Sequence, residues 1–174
     1  MRIWLSNHYA VPPTIGGLTR HYELAEEWVK EGSIVTLWLS SFIHHRRSFI
    51  TKEDKQKVKV PGLQFKWLWS FPYQGNDIRR MINMASFAIL FFLVGLFTRR
   101  PDVIVASSPH LFTSFIGWML AKIKRCPFVF EVRDLWPDSL IKMGGLRQPF
   151  MVRFLTWMES FLYKHADQII VLTA

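Results

Sequence analysis

The sequence predicts an α/β domain, Rossmann-like in architecture, built on a doubly wound and mostly parallel sheet. Three observations carry that expectation. Short apolar runs of strand length alternate along the chain with longer segments whose apolar residues recur at helical spacing. Such alternation implies βαβ crossovers, which lay successive strands side by side in parallel. The 174 residues, 50% hydrophobic and 16% aromatic, suffice for one complete core and are short for two ordinary domains.

Each element follows from local pattern. Ile3–Leu5 reads as a short buried strand ending at Ser6 and Asn7. "HYAVPPTIGG" is then a loop, by its two prolines and its glycine pair. From Leu18 to Glu31 the residues Tyr22, Leu24, Ala25, Trp28 and Val29 keep a helical period, and Gly32 closes the helix. "SIVTLWLS" (33–40) is a second buried strand. Residues 41–62 are polar and basic, with His44, His45, Arg46 and Arg47, and are expected to form a mobile surface loop. "LQFKWLWSF" (63–71) is a third strand by aromatic enrichment. A long helix over 77–97, the strand "DVIVASS" (102–108) and a helix from Leu111 to Lys124 follow. The strand "PFVFEVR" (127–133), a helix over Pro149–Lys164 and the strand "QIIVLT" (168–173) complete the chain. In open α/β sheets ligands sit beyond the carboxyl ends of the strands. That rule gathers Asn7–Gly17, Ser40–Arg47, Ser107–His110 and Glu131–Asp138 on one rim.

The formal net charge of +9 favours anionic partners: nucleic acid, acidic lipid or phosphorylated small molecules. The basic residues are scattered rather than gathered into an aromatic-studded groove, so no nucleic acid partner is expected. The lone Cys126 excludes an internal disulfide and a thiolate metal cluster, and "MRIWLSNHYA" lacks a signal-peptide layout. A cytoplasmic location is the expectation.

Three segments carry candidate chemistry. Gly16 and Gly17 lie between the first strand and the first helix, where backbone amides suit an anion; equally, the pair could only turn the chain. The loop departs from G-x-G-x-x-G, and "SFIHHRR" stands where an acidic residue should follow the second strand, so a dinucleotide site is not expected. His110, in "ASSPHL", comes just past a buried strand, where it could bond a sugar hydroxyl or phosphate, act as acid or base, or simply cap a helix. The other histidines show no metal-ligand spacing. "FVFEVRDLWPDSL" (128–140) ends a core strand in Glu131, Arg133 and Asp134. That cluster suits a polyhydroxylated or phosphorylated ligand, with a structural ion-pair network as the competing reading.

The uncharged run 81–97 is bracketed by Arg79–Arg80 and Arg99–Arg100. As a helix it would reach about 25 Å, short of the roughly 30 Å hydrocarbon core. A helix lying against the sheet is expected, an interfacial lipid contact is the second reading, and membrane insertion is the last. Glu23 and Glu31 satisfy an E-x7-E spacing on the exposed side of an amphipathic helix, which is read as coincidence.

Taken in order, "NHYAVPPTIGGLTRHYELAEEWVKEG", "RPDVIVASSPHLF", "FVFEVRDLWPDSLIKMGGL" and "ADQIIVLT" resemble the N-terminal domain of a glycosyltransferase family 4 enzyme. The resemblance covers nearly the whole chain and is closest to the subgroup that builds bacterial surface polysaccharides, such as lipopolysaccharide, on lipid carriers. It implies the GT-B fold, in which two Rossmann-like domains face each other across a cleft. The implied activity is a retaining, hexosyltransferase-type transfer from a nucleotide-sugar to a lipid-linked or polysaccharide acceptor, with no metal or other cofactor. The implied donor-diphosphate contacts are Gly16 and Gly17, with Arg20 and His21 just inside the helix. His110 matches the active-site histidine, and Glu131, Arg133 and Asp134 match the acceptor side. Residues 1–174 would then be a single acceptor-side domain lacking the nucleotide-sugar-binding C-terminal domain, and alone incomplete or inactive. Peripheral placement on the inner face of the plasma membrane, through 81–97, would fit such an acceptor. The alternative is a non-catalytic Rossmann-like module that docks on a membrane or a protein.

Overall fold

The structure, a computed structural model, describes residues 1–58, 60–75, 78–108, 110–142 and 148–172. The expected helix start at Asp77, the strand end at Thr173 and the "MGGL" that closes "FVFEVRDLWPDSLIKMGGL" lie outside them. The elements run β1 (Arg2–Ser6), α1 (Arg20–Lys30), β2 (Ile34–Ser40), β3 (Phe42–Ile43), β4 (Ser48–Phe49), α2 (Lys52–Gln56) and β5 (Leu63–Leu68). They continue with α3 (Ile78–Phe97), β6 (Val103–Ser107), α4 (Leu111–Lys124), β7 (Phe128–Val132), α5 (Asp138–Lys142), α6 (Pro149–His165) and β8 (Gln168–Val171).

The main sheet has six strands in the order β5-β2-β1-β6-β7-β8. Every pairing is parallel; at the centre Leu5 sits beside both Leu37 and Val105. Parallel strands covered on both faces must be apolar throughout, which is why β1, β2, β6 and β7 read as near-continuous hydrophobic runs. Side chains alternate between the faces. Ile3, Leu5, Val35, Leu37 and Leu39 meet Tyr22 and Ala25 of α1 on one side. Trp4, Trp38, Ile104, Phe128 and Phe130 meet α3, α4 and α6 on the other, through residues such as Phe87, Leu120 and Leu162. Gly117 sets the closeness of that second layer, since a Cβ there would stand 2.9 Å from Ala106 Cβ.

The order of strands turns over between β1 and β6. This topological switch point opens a crevice at the strand ends, and the loops after β1 and β6 form its walls.

Two expectations need correction. Residues 41–62 are not a loop throughout: among the described residues they contain the antiparallel β3–β4 pair and α2, with Thr51 and Asp54 forming a reciprocal cap. Phe42, Ile43, Ile50 and Val58 are buried, and these spaced apolar residues anchor a segment whose polar average concealed them. The first helix begins at Arg20 rather than Leu18, because Leu18 bridges back to Ala10. The short α5 follows Pro137.

α3 lies against the sheet as expected, burying Asn83, Met84, Phe87, Ala88, Phe91 and Gly95. By length and composition it could cross a membrane, yet only 33% of its most apolar window is buried inside the domain. Ile78, Ile82, Ile89, Leu93 and Phe97 recur at helical spacing on its exposed side.

Candidate functional site

The rim is organised first by Asn7. Its Oδ1 accepts from the backbone N–H groups of Tyr9 (2.9 Å) and Ala10 (3.0 Å), fixing the chain as it leaves β1. Its Nδ2 lies 3.4 Å from His21 Nε2 at the start of α1. Because Nδ2 is itself a donor, the His21 Nε2–H is directed to the other neighbour, Glu131 Oε2, at 2.6 Å. Arg20 donates to the second carboxylate oxygen, Oε1, from Nε at 3.3 Å and from a terminal nitrogen at 3.0 Å. The first turn of α1 is thereby clamped to β7, across β6.

Burial would raise the Glu131 pKa, but His21, the Ser107 hydroxyl and Arg20 outweigh it and hold the carboxyl at about 2. At neutral pH it is a carboxylate, 2% exposed, with both oxygens taken by protein donors. Glu131 was expected on the acceptor side, with Arg20 and His21 beside a donor diphosphate. The structure brings the three together as one hydrogen-bonded network, with Arg20 and Glu131 as its ion pair. His21 is fully buried, whereas Arg20 keeps a half-open guanidinium at 46% exposure.

Ser108 joins the next two strand ends. Its Oγ accepts from the N–H groups of Arg133 (2.7 Å) and Asp134 (3.2 Å), so both side chains start from a fixed backbone. Asp134 is exposed. Arg133 is half-buried, and its Nε and one terminal nitrogen have no hydrogen-bond partner among the described residues.

The switch point itself is filled with rings. His8 and His110 meet edge to face with centroids 4.7 Å apart, and Tyr9 and Phe87 pack on His8 at 4.6 and 4.7 Å. His110 stands at the N-cap of α4, as its position after the strand implied, but it makes no cap bond and is only 1% exposed. Its ring nitrogens each lie 3.3 Å from Thr113 Oγ1. Burial, reinforced by the positive Arg80, brings the His110 pKa down to about 3 and that of His8 well below its ordinary value. The same causes, with Arg47 and His45, lower His44 to about 4. All three are neutral imidazoles at pH 7.

Outside this buried pair a second set gathers. The Arg80 guanidinium is 3.4 Å from the Tyr9 hydroxyl. The Tyr73 hydroxyl bonds His44 Nδ1, and the Arg47 guanidinium lies 4.7 Å over the Tyr73 ring. Sequence reasoning gathered Tyr9, His44 and Arg47 on one rim but missed Tyr73 and Arg80. The available signal was that "NHY" and "SFIHHRR" follow β1 and β2, which are adjacent in the sheet, with Tyr73 past β5, the other neighbour of β2.

Gly16 and Gly17 take φ of 76° and 110°, a region that suits glycine. A Cβ on Gly16 would meet nothing within 4 Å, whereas one on Gly17 would meet His45 Nδ1 at 2.9 Å. Arg46 donates to Ile15 O at 2.7 Å and to Asp54 Oδ2 at 3.1 Å. The β3–β4 turn thus supports the glycine loop from behind, leaving Gly16 on the open side. Among the described residues no three His, Cys, Asp or Glu side chains group as metal ligands.

A parallel sheet in this order, with its polar loops gathered at the switch point, defines a Rossmann-like α/β domain of the kind found in GT-B glycosyltransferases. The chain belongs to the glycosyl transferase 4-like domain family, whose model matches residues 16–174. Among solved structures it is similar to Anabaena Alr3699/HepE in complex with UDP-glucose, at 12% identity and a TM-score of 0.53, covering 97% of this chain and 36% of that one. Acinetobacter baumannii MurG is similar at 8% identity and a TM-score of 0.54, covering 99% of this chain and 42% of the other. Arabidopsis thaliana UGT89C1 complexed with UDP gives 11% identity, a TM-score of 0.57 and the same coverages of 99% and 42%. At these identities the likeness shows the fold, and the chain spans less than half the length of each. No curated protein sequence matches the chain.

Proposed function

We propose that this domain holds the acceptor in a glycosyl transfer from a nucleotide-sugar to a lipid-linked or polysaccharide acceptor, of hexosyltransferase type and with retention of configuration. The observation that carries the lipid-linked reading is the exposed apolar side of α3. It runs from Ile78 to Phe97 and is continued on the same layer by Phe150 and Trp157 of α6. Between α3 and α4 lies a groove of about 170 Å³ lined only by Ala85, Ala88, Ile89, Phe112, Phe115 and Ile116. An apolar face flanked by arginines suits the interface of an anionic membrane, on whose cytoplasmic side the acceptor headgroup would meet the rim.

In this reading an acceptor hydroxyl becomes bonded to the anomeric carbon, the bond from that carbon to the diphosphate breaks, and the nucleoside diphosphate leaves with the electron pair. The hydroxyl proton passes to the departing phosphate. The amides of Gly16 and Gly17 steady the diphosphate as its charge develops, aided by the open side of Arg20. Arg133 and Asp134 orient the acceptor. His110 positions the Tyr9 loop from beneath as a neutral imidazole. No metal is assigned a role, and the donor is carried by a second, nucleotide-sugar-binding domain or subunit. Neighbours solved with UDP or UDP-glucose support the choice of donor.

The test supplies a donor-binding domain to this chain, with radiolabelled UDP-sugars and vesicles bearing polyprenyl-phosphate-linked saccharides. Label is expected in the lipid fraction, with retained anomeric configuration by NMR, and the I89E/L93E double variant should lose vesicle co-sedimentation. Vesicle binding without transfer to any acceptor would favour the docking-module reading instead.

A further inference from the structure

We propose that Tyr9, His44, Arg47, Tyr73 and Arg80 frame a phosphoryl-binding subsite, which takes the phosphate group of the acceptor. This rests on the acceptor reading above and specifies the chemistry of the molecule held.

The argument begins with what the group offers. Two guanidinium groups, from the β3–β4 turn and from the first turn of α3, approach two tyrosines, one at the ring face and one at the hydroxyl. Arg47 is stacked on Tyr73, and Arg80 is within 3.4 Å of the Tyr9 hydroxyl. Burial raises the pKa of both phenols, so they remain protonated donors. The guanidinium N–H groups face an incoming ligand only as donors, while the Tyr73 hydroxyl is already engaged by His44. A sugar presents hydroxyls that both give and accept, and sites for it need acceptors as well. A phosphoryl group presents only acceptors and negative charge, and arginine forks match its geometry.

Two further observations point to a missing occupant. A terminal nitrogen of Arg47 is buried with no hydrogen-bond partner among the described residues. His8, 4% exposed and packed directly on Tyr9, has both ring nitrogens without partners as well. Buried polar groups are ordinarily satisfied, and a guanidinium N–H left over is costly unless a ligand takes it. Arg47 is also held at a φ of 52°, one of only two non-glycine residues in that region among those described, which fixes where its side chain starts.

The position selects the phosphate's owner. Arg80 belongs to α3, whose outer side carries the exposed apolar stripe. A phosphoryl group bound here would sit at the end of the helix best suited to lipid, whereas Gly16, the proposed donor contact, lies further along the β1–α1 loop that carries Tyr9.

The experiment titrates inorganic pyrophosphate into the whole chain by isothermal calorimetry at low salt. The variants are R47N, chosen because Asn tolerates left-handed backbone, R47K and Y73F, each checked for folding by circular dichroism. Losing one charge-assisted pair should weaken binding by about ten- to a hundred-fold in R47N. R47K should recover only part of it, because it restores the charge without the fork. R153Q, on the exposed side of α6, should bind as wild type. Pyrophosphate binding equal in R47N and wild type overturns the subsite.

A second arm distinguishes the phosphate's source. With a donor-binding domain supplied, R47N should raise KM for farnesyl-phosphate-linked acceptor and leave KM for the nucleotide-sugar unchanged. A raised donor KM instead would overturn the acceptor assignment and give the subsite to the donor diphosphate. Absence of transfer by the wild type, with pyrophosphate binding still dependent on Arg47, would sink the acceptor reading and leave the anion site standing.

Discussion

His110 should make the domain acid-sensitive in a way that one substitution removes. Its folded pKa is about 3 against an ordinary 6.5, because burial and Arg80 disfavour the imidazolium. Between those values the unfolded chain binds a proton that the folded chain refuses, so stability falls as pH falls. At pH 7 the effect is nearly absent, since the unfolded imidazole is itself mostly neutral. By pH 5 the unfolded side chain is about 1.5 pH units below its pKa, and at about 1.36 kcal/mol per unit the folded state loses about 2 kcal/mol. His8, buried beside it, acts in the same direction. The assay is urea denaturation of wild type and H110N at pH 7 and pH 5. Wild type should lose about 2 kcal/mol more than the variant over that interval, or about 1 M in midpoint for an m-value of about 2 kcal/mol/M. Any destabilisation that H110N itself introduces cancels, because only the change with pH is compared. Equal losses would show that His110 is protonated without cost in the folded protein, and the reasoning would fail.

Three other outcomes are expected. E131A should destabilise the domain by about 3 kcal/mol, seen as a lowered Tm, because it leaves His21 and Arg20 facing an empty buried site. The stability that Glu131 supplies is full above its ordinary pKa of 4.5 and is lost as pH falls towards about 2, so wild type and E131A should converge across that window. G17A should cost about 2 kcal/mol and G16A about 1 kcal/mol by chemical denaturation: both strain the backbone, but only Gly17 also meets His45. S108A should cost about 1–2 kcal/mol by leaving the Arg133 and Asp134 N–H groups without their acceptor, and should broaden the amide resonances of that turn.

The sheet was legible because its strands are buried on both faces. Continuous runs such as "SIVTLWLS" and "DVIVASS" need no partner to be recognised, and α4 matches its expected span. The segment 41–62 was not legible. Its two-residue strands and five-residue helix are too short to establish a period, and they exist because Phe42, Ile43 and Ile50 find a core formed elsewhere. The rim was legible as a location, since the ends of parallel strands must converge. Partner choice was not. Nothing local in "TRHYEL" says that His21 points to a glutamate 110 positions later, nor that Tyr73 lies under Arg47.

That pairing changes what the rim can hold. A charge cluster at the end of β7 suggested a mixed surface of acids and bases, suited to sugar hydroxyls. With Glu131 fully engaged by His21 and Arg20, its strongest acceptor is removed from the ligand's reach. Arg47 and Arg133 retain buried nitrogens without partners among the described residues, while His8 and His110 stay neutral and add no competing charge. The clamp that fixes α1 on β7 therefore also biases the rim towards donors. A ligand that satisfies it brings oxygen acceptors and negative charge, and the cost of leaving those guanidinium nitrogens buried falls only when such a ligand binds.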